Sequence, residues 1–248
     1  MISIKSPQEI EIMATGGRIL AKIRDQLVSI VKPGITTYEL DQFAYKKITE
    51  SGGYPSFLHH SGFPASICTS VNDEVVHGIP GKRILKDGDT VGIDIGMKYK
   101  DFHNDTAITV PVGQITLELI NLLDTAKAAL AAGIQTIKPN IHLGDVQNSI
   151  QKVIEKAGYG IVRDLTGHGV GRELQEEPAI ANFGNIGTGP ILKTGMVIAL
   201  EPMITLGKPE VTTLLDGWTV VTVDRSPTAH FEHTVAVTDL GGRILTQC

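Results

Sequence analysis

Lys86-Asp87-Gly88-Asp89-Thr90-Val91-Gly92-Ile93-Asp94 and Lys193-Thr194-Gly195-Met196-Val197-Ile198-Ala199-Leu200-Glu201 carry one design at an offset of 107 residues. Each opens with a Lys-x-Gly turn, runs through a short apolar strand and ends in an acid. Upstream, Lys32-Pro33-Gly34-Ile35 matches Lys138-Pro139-Asn140-Ile141 at offset 106, and Lys46, Ile48 and Gly52 match Lys152, Ile154 and Gly158. Shared helix-turn chemistry accounts for any one of these identities. The full order (helix, Lys-Pro turn, helix, Gly stop, Lys-x-Gly turn, strand) occurs twice, and that favours an internal duplication. The halves fall at about 1–113 and 114–248 of a single catalytic domain.

The remaining elements fit an α/β (α+β) chain. Ser6 at the N-cap, Pro7 at the first helical position and Glu9 in a capping box predict a helix start. Ile10, Met13, Gly17, Leu20, Leu27 and Val31 continue its apolar stripe until Pro33-Gly34 stops it. A second helix is predicted from Thr36 to Gly52-Gly53, a third over 117–136 and a fourth over 143–157. Strands are predicted at 65–71, 90–95, 106–112, 196–200, 218–223 and 231–237.

Composition narrows the function classes. Hydrophobic residues at 42% and charged residues at 20% give enough apolar material for a core and exclude a disordered chain. Against 27 acidic residues stand 22 basic ones, a net charge of −5, which argues against a nucleic-acid backbone binder. Two cysteines, Cys68 and Cys248, build neither a disulfide framework nor a cysteine zinc site. No apolar run approaches the ~20 residues of a membrane span, and residues 1–7 contain no signal-peptide core. These features predict a soluble, cytoplasmic protein.

The repeat pairs its acids. Asp94 and Glu201 end equivalent strands, and Asp105 and Glu232 open another equivalent pair. Four carboxylates gathered at the inner ends of strands repel one another, and burying them requires a compensating cation. His168, between glycines in Thr166-Gly167-His168-Gly169-Val170-Gly171, is the fifth candidate. A lone histidine is more often structural, but beside four carboxylates it completes a ligand set. One imidazole and many oxygens suit two divalent cations such as Mn, Fe(II), Co or Zn. Carboxylates shared by two ions are the arrangement of two-metal hydrolases.

The chain resembles the type I methionine aminopeptidases, in their short bacterial form, over essentially its whole length. The resemblance is carried by His77-Gly78-Ile79-Pro80, Lys86-Asp87-Gly88-Asp89, Ile93-Asp94, His103-Asn104-Asp105-Thr106, Gly167-His168-Gly169-Val170-Gly171-Arg172, Glu176-Glu177-Pro178, Leu200-Glu201-Pro202, Gly217-Trp218-Thr219 and Phe231-Glu232-His233-Thr234. The five ligands in order, at spacings of 11, 63, 33 and 31 residues, make it specific. It implies the pita-bread fold: two pseudo-symmetric halves around a central antiparallel sheet flanked by helices. It implies Asp94, Asp105, His168, Glu201 and Glu232 as ligands of two divalent metal ions. Asp105 and Glu232 would bridge the ions, Asp94 serve one, and His168 with Glu201 the other.

The same resemblance implies removal of N-terminal methionine from nascent proteins and peptides with a small second residue. Glu201 would move the proton of the attacking water, and His77 would hydrogen-bond the tetrahedral intermediate near the scissile amide. His60, Phe63, Cys68, Leu174 and Trp218 match the methionine pocket. Cys68 has no nucleophile partner nearby and is read as non-catalytic. Two departures stand out: Gln175 occupies the position of a second active-site histidine, and His60 and Leu174 occupy positions that are usually aromatic. Gln175 can donate a hydrogen bond to an oxyanion but can supply neither proton nor charge. A monomer is expected; contact with the ribosome is open, and no nucleic-acid or membrane partner is expected.

Other readings are an X-Pro-type peptidase of the same fold, which usually carries an additional N-terminal domain, and a non-catalytic binding protein on that fold. Such binders lose ligands, whereas all five stand here. The long insertion of type II methionine aminopeptidases has no room in the 31 residues between Glu201 and Glu232.

Overall fold

The computed structural model describes residues 2–248. The first half opens with α1 (Pro7–Ile30) and α2 (Thr37–Glu50). Each starts at a closed capping box: Ser6 Oγ accepts from Glu9 N while Glu9 Oε2 accepts from Ser6 N, and Thr36 and Glu39 repeat the exchange. Pro33 ends the α1 segment, since proline cannot extend a helix. Strands β1 (Tyr54–Pro55), β2 (Ile67–Val71), β3 (Glu74–Val76), β4 (Thr90–Tyr99) and β5 (Phe102–Pro111) follow. β4 pairs with β5 along one edge and with β2 and β1 along the other, all antiparallel.

The second half repeats the helix pair with α3 (Leu117–Thr136) and α4 (Leu143–Ala157). Short strands follow: β6 (Gly160–Ile161), β7 (Gly167–Gly169), β8 (Glu176–Ile180), β9 (Val197–Leu200) and β10 (Met203–Thr205). β11 (Val211–Thr213), β12 (Val220–Thr222), β13 (Thr228–His230), β14 (His233–Thr238) and β15 (Gly241–Ile244) complete the chain. The central sheet of this half runs β15-β14-β9-β7-β8.

The duplication is visible in the hydrogen bonds. Gly34 N donates to Leu85 O and Leu85 N to Ile35 O; Asn140 N donates to Leu192 O and Leu192 N to Ile141 O. Gly34 and Asn140 both take positive φ, 94° and 69°, and Gly88 and Gly195 both have φ 93°. Each half has its own apolar core. One packs Leu20, Leu27, Leu40, Ile48, Ile67, Ile93 and Ile95; the other packs Leu122, Leu130, Ile150, Ile154, Ile198, Leu200 and Val235. Leu20 and Leu40 are fully buried, and truncating either to alanine would cost about 2–5 kcal/mol.

The two sheets meet where β5 runs beside β13 and β14. Thr106 Oγ1 donates to Glu232 O at 2.8 Å, and Glu232 N donates to Ala107 O at 2.9 Å. The segment after β15 returns to the same place. Leu245 N donates to Thr234 O at 2.9 Å, Thr234 N to Thr246 Oγ1 at 3.1 Å, and Arg24 Nη1 to Thr246 O at 3.2 Å. Gly17 lets that segment lie against α1, because a Cβ there would stand 2.3 Å from Leu245 O. Among the described residues no helix is long and apolar enough to cross a membrane.

The helices match their sequence-predicted limits closely; the strands do not. The 90–95 and 106–112 runs are parts of one hairpin of two ten-residue strands. Its turn, Lys100-Asp101, has φ 47° and 69°, so Asp94 and Asp105 both sit inside strands rather than at strand ends.

Candidate metal centre

Strand register delivers the five residues to one place. In the β4–β5 hairpin Asp105 faces Gly96, two residues from Asp94. Side chains alternate along a strand, so Asp94 and Asp105 emerge diagonally on one face. In the other half His233 faces Leu200, which puts Glu232 opposite Glu201 just past the last pair. His168 faces Ala199, two residues from Glu201, the same diagonal relation.

Ligand-type atoms of Asp105, His168 and Glu232 all lie within 4.8 Å of one another. Asp94 stands outside that triplet, its carboxyl hydrogen-bonded to that of Asp105. Glu201 stands on the other side, Oε1 lying 3.6 Å from His168 Nε2. His168 Nδ1 lies 2.9 Å from Gly169 O, a contact it makes as donor, and this leaves Nε2 as a lone pair. A lone pair aimed at a carboxylate is repulsive unless a cation lies between them.

Burial works against so many charges. Asp105 and Glu232 are 4% and 2% exposed. Burial, and then neighbouring carboxylates, push both well above the usual carboxylate range. Burial raises Asp94 and Glu201 to about 7 each. Among the described residues no group donates to Asp94 Oδ1, Asp105 Oδ1 or Glu232 Oε1. Buried oxygens without donors, beside an imidazole lone pair, form a hard, oxygen-rich donor set that fits divalent cations.

The same cavity, about 340 Å³, has an apolar wall. Phe57, Phe63, Ala65, Cys68 and Leu174 form a buried cluster against which Ile79 and Trp218 pack. Phe63 meets Trp218 edge-on at 5.2 Å between ring centroids. Trp218 is fixed by an Asp216 turn, whose Oδ1 accepts from both Trp218 N and Thr219 N at 2.9 Å. Burial pushes the Cys68 thiol well above its ordinary value, which removes it as a nucleophile. His60 and Gln175 are exposed and line the mouth. The loop bearing Leu174 and Gln175 is held by a buried ion pair, Lys5 Nζ to Glu176 Oε2 at 2.7 Å.

His77 lines the cavity 6.5 Å from Trp218, measured between ring centroids. Its φ of 58° is left-handed, a conformation that costs energy in a non-glycine residue and clusters at functional sites. Burial, and the nearby His230, push its pKa down to about 4, so the imidazole is a neutral donor or acceptor.

The structure thus gathers every candidate residue around one cavity, and it adds some. Phe57 and Met203 line it and sequence reasoning missed both. It also missed His230, whose Nε2 lies 3.5 Å from Glu201 Oε2. The alternation His230-Phe231-Glu232 was the available signal.

A carboxylate-rich metal centre beside a closed apolar pocket defines the class as a metal-dependent hydrolase. The chain belongs to metallopeptidase family M24, whose model matches residues 11–239. It is 48% identical over 247 residues to "Methionine aminopeptidase 1" of Bacillus subtilis, covering 100% of both chains. Its structure superposes with a TM-score of 0.98 on methionine aminopeptidase from Rickettsia prowazekii, at 40% identity over 99% of this chain and 100% of that one. A prolidase from Pyrococcus furiosus shares the pita-bread fold, with a TM-score of 0.81 at 23% identity; this chain covers 65% of its length.

Proposed function

We propose that this chain removes N-terminal methionine from peptides and nascent proteins whose second residue is small. The carrying observation is that the five metal-ligand candidates and the Phe63–Trp218 pocket share one cavity. The full-length similarity to methionine aminopeptidases supports the same reading. Asp94, Asp105, His168, Glu201 and Glu232 would hold two divalent cations. When bound, such cations polarise the scissile carbonyl and lower the pKa of water.

The chain's own groups do the rest. Phe57, Phe63, Cys68, Leu174 and Trp218 take the unbranched thioether side chain and offer no partner to a charged one. Glu201 accepts the proton of the attacking water on a carboxylate oxygen and returns it to the leaving amine. Neutral His77 hydrogen-bonds the scissile amide. Gln175 donates from its amide nitrogen to the carbonyl oxygen as negative charge develops there. The free thiols of Cys68 and Cys248 suit a reducing cytoplasm, where nascent chains present such termini.

The test is turnover of Met-Ala-type tripeptides by metal-free protein resupplied with Mn, Fe(II), Co or Zn. Methionine release that depends on added metal supports the reading. Release of N-terminal Lys or Glu as fast as Met, or preference for X-Pro peptides, overturns it.

A further inference from the structure

His230 is buried, 4% exposed, and its Nε2 has no hydrogen-bond partner among the described residues. Its backbone is fixed by the Thr109 hydroxyl, which accepts from His230 N and donates to His230 O, each at 2.9 Å. It also faces Met203 in the β10–β13 pair. Two residues before Glu232, its side chain emerges on the face of the carboxylate cluster. Glu201 is thereby bracketed by imidazoles, with Oε1 3.6 Å from His168 Nε2 and Oε2 3.5 Å from His230 Nε2.

The two rings differ in kind. His168 spends its N–H on Gly169 O and keeps a lone pair toward Glu201. His230 is not one of the three residues whose ligand atoms cluster within 4.8 Å. We propose that His230 is a positioning residue of the metal centre: its neutral imidazole donates from Nε2 to Glu201 Oε2 and turns the opposite oxygen, Oε1, toward the cation site beside His168. Carboxylates that bind metals are themselves hydrogen-bonded, and loss of such a partner typically costs 10–100-fold in metal affinity. Glu201 has this one side-chain donor, so its orientation depends on His230. The assignment rests on the metallopeptidase reading above.

Three measurements test it. First, His230→Leu and His230→Gln are compared with the parent for Co(II) affinity by calorimetry and for the visible Co(II) spectrum. His230→Leu should weaken binding about 10–100-fold and shift the spectrum; His230→Gln, which keeps an N–H donor, should restore most of both. Second, on a Met peptide His230→Leu should lower kcat more than it raises KM, and His230→Gln should recover kcat. Third, nitrogen-15 NMR of the Zn(II)-loaded parent should place the ring proton on Nε2; this needs no variant and survives any folding failure. The proposal is overturned if His230→Leu binds Co(II) like the parent, if His230→Gln is as impaired as His230→Leu, or if Nε2 carries no proton. Failure of the parent to release methionine would instead count against the functional reading, since affinity and tautomer are read without turnover.

Discussion

The hydroxyl of Thr234 holds both backbone polar groups of Asp105: it accepts from Asp105 N at 2.9 Å and donates to Asp105 O at 2.8 Å. A side chain thus stands in for a sheet ladder at the join of the two halves. Thr234 itself is completely buried, so neither group of Asp105 can turn to water instead.

Thr234→Val keeps the shape and removes the hydroxyl. It strands a buried N–H and a buried C=O, at a cost of about 1–3 kcal/mol for each group. Thermal melting should fall by several degrees and metal affinity should fall with it. Thr234→Ser should recover both. A valine variant that melts and binds like the parent would show that the join does not depend on this hydroxyl.

Stability of the metal-free protein should depend on pH in an unusual direction. Asp94 and Glu201 have folded pKa values of about 7, raised by burial from 3.8 and 4.5. A raised carboxyl pKa contributes stability at low pH that is lost as pH rises through the folded value. Chelated protein should therefore melt lower at about pH 8 than at about pH 6. Added metal should abolish the difference and release protons, measurable by calorimetry in buffers of different ionisation enthalpy.

His77 works in the opposite sense. Its folded pKa, about 4, lies below the ordinary 6.5, so protonation favours the unfolded chain. Its contribution is present above pH 6.5 and is lost as pH falls toward 4. His77→Asn tolerates the left-handed backbone but does not titrate. This variant should show a flatter acid limb in melting temperature across that window. The parent's kcat/KM should show no inflection from His77 between about pH 6 and 9.

Gln175 sets the strength of one oxyanion contact. A cationic histidine there would donate a charge-assisted bond, stronger than the neutral bond of an amide. The difference is on the order of 1–3 kcal/mol, roughly ten- to hundredfold in rate. Gln175→His should raise kcat/KM on a Met peptide at the pH where imidazole is protonated. No change, with metals still bound, would assign Gln175 to packing at the cavity mouth.

Legibility in the sequence followed the range of the forces involved. The capping boxes at Ser6–Glu9 and Thr36–Glu39, and the Gly158 stop, are local chemistry, and their helices end where the sequence indicates. The Lys-Pro turns could be read because they recur. The Lys100-Asp101 turn could not, since two non-glycine residues take positive φ there without an Asn-Gly or Asp-Gly signal. Strands such as β1, β6 and β7, two or three residues long, are too short to show alternation. Acids paired across the repeat pointed to the centre. Phe57 and His230 join it only through tertiary packing, which one-dimensional spacing does not encode.

Leu245 and Thr246 close the strand that follows Glu232, and this fixes when the centre can exist. Ribosomes add about 5–20 residues per second, so the 141 residues from Asp105 to Thr246 take roughly ten to thirty seconds. Throughout that interval Asp94 and Asp105 have been made while their counterparts are still missing. A half-made chain therefore presents two acids and no complete cage, and it cannot sequester a metal ion while it is being translated. Metal loading is a post-translational event for this fold, set by the order of synthesis rather than by the supply of ions.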